Sequence, residues 1–196
     1  MEKSLWSAVE ALAMAINARN STLEHSQRVA FYAVQLAKVI GWNGIPLQEL
    51  RLGALLHDIG HITYPDSLIN RQFLPLTIKE EEIVKSHTSS CVDLIKGFPM
   101  LDFAIPYILS HQEWINGTGY PLGLKGEEIP EGVQIVSIAD IFEALHYPRL
   151  YRGRSGLSLS ESLNIMKEMS GKRWRSDLYD IFSENIESFC NLNLSS

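Results

Sequence analysis

Cysteine is nearly absent from this chain: Cys91 and Cys190 are the only two in 196 residues, far apart and without CxxC spacing. That scarcity excludes a disulfide framework and a thiolate metal site, and it fits a reducing compartment. No apolar run is long enough to cross a bilayer. The opening Met1-Glu2-Lys3-Ser4-Leu5-Trp6 lacks the basic-then-apolar run of a signal peptide. The expectation is a cytoplasmic location with no membrane partner. Positive charge is also short. With 17 Lys and Arg against 23 Asp and Glu, the net charge of -6 argues against long nucleic acid, which needs a basic face. A small anionic substrate stays open, because bound cations reverse the local sign. Internal repeats, low-complexity tracts and convincing strand alternation are missing too.

What is present is helical period. A hydrophobic content of 45% and a charge content of 20% are ordinary for a globular domain long enough to bury a core. The spacing predicts helices at 4–18, 22–40, 46–60, 78–96, 101–112, 131–147, 158–170 and 175–190, and so an all-α fold. Thr77-Ile78-Lys79-Glu80 and Ser158-Leu159-Ser160-Glu161 read as capping boxes. Gly41, Gly60, Gly97 and Gly171 sit where helices should stop, since glycine accepts the left-handed cap conformation. Two stretches resist regular structure, 61–76 and 113–130. The second, with its glycines, prolines and aromatics, reads as an ordered functional loop.

The chemistry-bearing residues fall on the apolar stripes of five predicted helices. His25 extends the stripe of Val29, Ala33 and Leu36, while His57 and Asp58 continue the face of Leu47, Leu50 and Ala54. His87 lies among Ile83, Val84 and Leu94, His111 closes the stripe of Ala104, Ile105 and Ile108, and Asp140 is flanked by Val133, Val136 and Ala144. Taken singly, each has a plainer reading. An inward histidine is more often a hydrogen-bonded core group, and an inward aspartate half of an ion pair. Taken together, six nitrogen and oxygen donors aimed at a core with few basic neighbours suggest a site for one or two divalent transition ions. Imidazole and carboxylate without thiolate suit iron(II), manganese or zinc, and spacing alone does not choose.

His57-Asp58, with His25 upstream and Asp140 downstream, resembles the ligand pattern of HD-domain phosphohydrolases. More specifically, the chain resembles an HD-GYP domain, the bacterial class that hydrolyses cyclic di-GMP. The resemblance runs in order through His25-Ser26-Gln27-Arg28-Val29, His57-Asp58-Ile59-Gly60, Pro65-Asp66-Ser67-Leu68, His87 and His111-Gln112-Glu113. It continues through Asn116-Gly117-Thr118-Gly119-Tyr120-Pro121, Ile138-Ala139-Asp140-Ile141-Phe142-Glu143-Ala144-Leu145 and Arg149-Leu150-Tyr151-Arg152. It implies an HD-domain helical bundle with a Gly-Tyr-Pro loop and extra C-terminal helices, spanning residues 21–190. Residues 1–20 would form an N-terminal helix serving as a linker or a homodimer contact, and 191–196 a tail.

The resemblance also implies roles. His25, His57, Asp58 and Asp140 would hold one metal, and Asp58 would bridge to a second held by His87 and His111, with iron or manganese as the expected ions. Water activated between two such ions attacks phosphorus, which makes Asp58 catalytic as well as a ligand. Tyr120 would contact the cyclic dinucleotide substrate, and the Gly119-Tyr120-Pro121 loop would meet a GGDEF-type partner domain. Arg149 and Arg152 would reach substrate phosphate, as paired guanidinium groups do.

Four positions depart from the family pattern. His61 stands where the family has lysine, and its nearness to the pair implies a direct catalytic or substrate-binding role. Gln112 replaces a histidine and, with Glu113, is expected as a weak ligand or a supporting contact. Asn116 replaces an aspartate in a turn that tolerates either. Ser21 stands where members with a third metal have glutamate, so two metals and a reaction ending at the linear dinucleotide pGpG are expected. A rival expectation rests on the same changes: a domain that binds metal, cyclic dinucleotide or a GGDEF-type partner without turnover.

Overall fold

The computed structural model describes residues 2–19, 23–69, 75–90, 92–148 and 155–193. Cys91, Ser21, Arg149 and Arg152 lie outside the described residues. Among the described residues there are ten α-helices and no strand. They are α1 (Glu2–Arg19), α2 (Leu23–Val39), α3 (Gly44–Leu56), α4 (Asp66–Ile69), α5 (Ile78–Ser90), α6 (Val92–Ile95), α7 (Ile105–Ser110), α8 (Glu131–His146), α9 (Leu159–Met169) and α10 (Ser176–Asn193). The all-α expectation holds.

Helix α8 organises the bundle. Eleven of its sixteen residues are buried, among them a polar stripe of Gln134, Ser137, Asp140 and Glu143, which suits an element enclosed by others. Helix α2 packs against both α8 and α3. From α2 the stripe of Val29, Ala33 and Leu36 enters the core, with Tyr32 beside it. Leu50, Ala54 and Leu56 come from α3, and Ile135, Ile138 and Phe142 from α8. Phe182 and Ile186 of α10 and Trp174 complete the same cluster. Val9 and Ala13 of α1 also join it, and Arg51 of α3 pairs with Glu10 of α1 at 2.6 Å.

Two expected helices are broken, each for a local reason. The segment 46–60 stops as an α-helix at Leu56 and continues as a 3₁₀ turn over Ile59–Thr63. Consecutive residues of an α-helix point about 100° apart. The chain leaves the helix at Asp58, at φ -99 and ψ 14, a bridge conformation common at functional sites, and His57 and Asp58 both address one site. The segment 101–112 begins as a 3₁₀ turn, Pro99–Ala104, and becomes α7 at Ile105. Pro106 has no N–H for the carbonyl of Asp102, which instead accepts the three-residue bond from Ile105. The expected helix 78–96 is described as two pieces, α5 and α6.

Both capping boxes form: Glu80 accepts from the Thr77 backbone and hydroxyl at 2.7 Å, and the Ser158–Glu161 pair is reciprocal. Gly41 and Gly171 take left-handed φ values of 96° and 73°, as their places at helix ends require. Gly60 and Gly97 do not.

Candidate metal centre

Six side chains converge where α2, α3, α5, α7 and α8 meet, and all six are buried: His25, His57, Asp58, His87, His111 and Asp140. The Asp58 carboxylate lies at their centre, and its two oxygens face different groups. Oδ2 lies 3.5 Å from His25 Nε2 and 3.5 Å from His57 Nε2. Oδ1 lies 3.5 Å from His87 Nε2 and 3.6 Å from His111 Nε2. Asp140 Oδ1 closes the first group, 3.5 Å from His25 Nε2 and 3.8 Å from His57 Nε2. Bonds of 2.0–2.2 Å to one ion put neighbouring donor atoms about 3.0–3.5 Å apart, so these spacings match a coordination sphere.

The other ring nitrogens are all engaged. His57 Nδ1 lies 2.6 Å from the carbonyl of Ala54, His87 Nδ1 2.5 Å from that of Val84, and His111 Nδ1 3.0 Å from that of Ile108. His25 Nδ1 instead meets Glu143 Oε2. An imidazole whose Nδ1–H is donated presents the Nε2 lone pair outward. His57 Nε2 is fully buried with no hydrogen-bond partner, a cost that a bound cation removes. The two donor groups, His25–His57–Asp58 and Asp58–His87–His111, are each compact enough to hold an ion and share Asp58. The residues present therefore fit one or two metals.

The electrostatics agree. Burial disfavours a charged Asp58, yet His61 and His57, with contacts from His111 and His25, hold its carboxyl well below the usual carboxylate range. Burial likewise opposes charge on His25, but Asp58 and Glu143 outweigh it and raise this imidazole to about 10. Desolvation drives His87 the other way, down to about 4, and also lowers His57.

Gly60 shows its purpose here. A Cβ at this position would stand 1.8 Å from the carbonyl oxygen of His87, so only glycine lets the 3₁₀ turn and α5 approach this closely. That approach brings His87 to Asp58. His61, on the same turn, places Nδ1 3.6 Å from Asp58 Oδ2. Its ring lies 4.7 Å from that of Tyr64 and 4.8 Å from that of His87, at the partly exposed rim of the site.

A buried carboxylate gathers the tip of the 113–130 loop. Glu113, only 1% exposed, accepts from the amides of Leu122, Gly123 and Leu124 at 2.6, 3.1 and 3.0 Å. A Cβ at Gly119 would stand 2.3 Å from the nitrogen of Trp114, so this turn also folds back too closely for any side chain. The next residue, Tyr120, brings its ring to 6.5 Å from that of His87. Burial, together with Asp58 and Asp140, pushes its phenol up to about 12 against the pull of Arg173, so it stays protonated and able to donate. Asn116 turns inward on the loop, accepting from the Thr118 amide at 3.0 Å and its hydroxyl at 2.7 Å.

Gln112 points its carbonyl oxygen at Arg173 Nη2, 3.0 Å away, while Arg173 Nε donates to Ser137 Oγ at 3.0 Å. Composition and spacing gave no sign of this buried arginine, whose only sequence signal is its place beside Trp174. Glu143 and Arg28 were also not expected at the site. Arg28 grips Glu143 Oε1 through Nη2 at 2.7 Å and Nε at 3.0 Å. The signal was present in the pattern, since Glu143 follows Asp140 by three residues and shares its helix face.

The HD-domain family model matches residues 10–178. A 3'3'-cGAMP-specific phosphodiesterase of Vibrio cholerae is 34% identical over 89% of the chain, and a cyclic di-GMP phosphodiesterase of Thermotoga maritima is 32% identical over 92%. The chain spans 40% and 49% of the lengths of these two relatives. The solved structure of a cyclic GMP-AMP-specific phosphodiesterase of V. cholerae superposes with a TM-score of 0.70 at 19% identity, covering 95% of the chain and 50% of its own, which shows a shared fold. The chain belongs to the HD-domain family, in its HD-GYP class.

Proposed function

We propose that this domain is a two-metal phosphodiesterase that opens cyclic di-GMP to the linear dinucleotide pGpG, with iron or manganese as its ions. The observation that carries this reading is the division of the Asp58 carboxylate between two histidine groups. His25, His57, Asp58 and Asp140 would hold one ion, and Asp58, His87 and His111 the other. When bound, the ions supply an activated water near neutral pH and stabilise the phosphate oxygens that gain charge.

The chain's own groups then position the substrate. His87, His111 and Asp58 give the second ion three protein donors, because Gln112 is turned to Arg173. Three protein donors leave positions open for water and phosphate, as catalytic sites require. His61 at the rim is within reach of a phosphate oxygen beside Asp58 and serves as a hydrogen-bond donor there. The protonated Tyr120 hydroxyl is a second donor, favouring a substrate that carries acceptor oxygens. Arg149 and Arg152 would supply positive charge from the following segment.

The relatives' names divide between cyclic di-GMP and 3'3'-cGAMP, so the test is a substrate panel. Metal-free protein is reloaded anaerobically with iron(II) or manganese, its metal content measured, and cyclic di-GMP, 3'3'-cGAMP and cyclic di-AMP offered in parallel. Cyclic di-GMP converted to pGpG, with turnover lost in His57→Ala, is the expected result. Stoichiometric metal without turnover of any of the three would favour the rival reading of a binding domain. That reading is motivated by His61, Gln112 and Asn116.

A further inference from the structure

We infer that Glu143, held by Arg28, is a positioning residue that fixes the tautomer and aim of His25, and so tunes one metal position independently of the other. The inference rests on the reading that these donors bind metal. His57, His87 and His111 each anchor Nδ1 on a carbonyl three residues earlier: Ala54, Val84 and Ile108. Those anchors are supplied by the local chain. His25, the third residue of α2, is anchored differently. Its Nδ1 meets Glu143 of α8, 118 residues away in sequence.

A carboxylate can do this only if it is itself fixed and neutralised. Glu143 is 1% exposed, where an unpaired charge would be costly. Arg28 meets its other oxygen with two nitrogens, charge-assisted contacts that neutralise the carboxylate and hold that oxygen in place. The guanidinium is stacked 4.4 Å above the ring of Tyr147. Tyr147 is tied in turn by its hydroxyl to Tyr32 at 2.6 Å and to Asn193 of α10 at 3.0 Å. His25 thus faces Asp58 and Asp140 through contacts between α2, α8 and α10, while the other three histidines need only their own helices.

The consequence is asymmetric. Loss of the Glu143 contact loosens the His25 group and leaves His87 and His111 as they were. Metal-free wild-type, Glu143→Gln and Arg28→Met full chains are titrated with manganese(II) by calorimetry at one pH, and thermal melts are recorded beside them. Wild type should show two binding events. Each variant should weaken one of them by about 10- to 100-fold, the usual scale for losing an outer partner of a ligand histidine, and leave the other within about twofold. Arg28 carries a side chain 21% exposed, so its variant answers even if Glu143→Gln does not fold. Two unchanged events overturn the inference, and so does equal weakening of both with a lowered melting temperature, which marks a merely structural role. Failure of wild type to take up metal overturns the metal reading of the site as well.

Discussion

Replacing Gly60 by alanine tests whether close approach of two segments, rather than a cap conformation, is what the site needs from glycine. The added Cβ would lie 1.8 Å from the His87 carbonyl oxygen, 2.5 Å from its carbonyl carbon and 2.7 Å from its Cα. All three are backbone atoms, so no side chain can swing aside. Ordinary contact begins near 3.4 Å, and the 3₁₀ turn and α5 must separate by about 1.6 Å. A functional constellation tolerates roughly 0.5 Å. The His87 Nε2–Asp58 Oδ1 spacing of 3.5 Å therefore opens beyond what one ion can span. Overpacking of this kind costs about 1–3 kcal/mol, which lowers the melting temperature of a chain this size by roughly 2–12 °C. The assay is metal content per chain after dialysis, with a thermal melt in chelator to separate stability from metal. Loss of the metal held by His87 and His111, with a lowered melt, is expected. A Gly60→Ala protein that retains two metals per chain and melts as wild type would refute the argument.

Four further outcomes are expected. Asp58→Asn should weaken both metal positions together, because an amide offers one acceptor oxygen where the carboxylate offers one to each group; calorimetric titration reads this, and one unaffected event would contradict it. In metal-free protein, His25 holds its proton up to about 10, above its ordinary value of 6.5. Its stabilising contribution is therefore complete below 6.5 and lost as pH rises through 10, and metal uptake at neutral pH should release about one proton, seen as an enthalpy that changes with buffer. His87, at about 4, acts oppositely: the unfolded chain takes up its proton first, so metal-free protein loses stability as pH falls from 6.5 towards 4, measurable by denaturant titration. Glu113→Gln should cost about 2 kcal/mol, since its NH₂ group would face loop amides that now donate to the carboxylate, and proteolysis within 119–124 should quicken.

The helical period placed His25, His57, His87, His111 and Asp140 on inward faces, and the structure puts all five beside Asp58. The period failed where the chain leaves regular geometry. At 46–60 it continued a helix through Asp58, where the chain leaves the α-helix after Leu56 and enters a 3₁₀ turn. Gly60 was legible as a glycine that mattered but not for its reason: a helix end and a backbone crossing both call for glycine, and only the position of His87 tells them apart. Gln112 was open between weak ligand and support, and its carbonyl oxygen accepts from Arg173. Asn116 behaves as a turn residue, as its place among glycines suggested.

By itself the sequence determined the donor set, because side-chain chemistry and a 3.6-residue period need no partner to be read. It also determined where the Gly-Tyr-Pro loop must leave regular structure. Only the tertiary structure decided which oxygen of Asp58 faces which histidines, and which outer group aims each imidazole. For three histidines that group is a carbonyl of the same helix, while for His25 it is Glu143, 118 residues away and itself gripped by Arg28. Contacts at that separation follow from how α2 and α8 pack, and no local period encodes them.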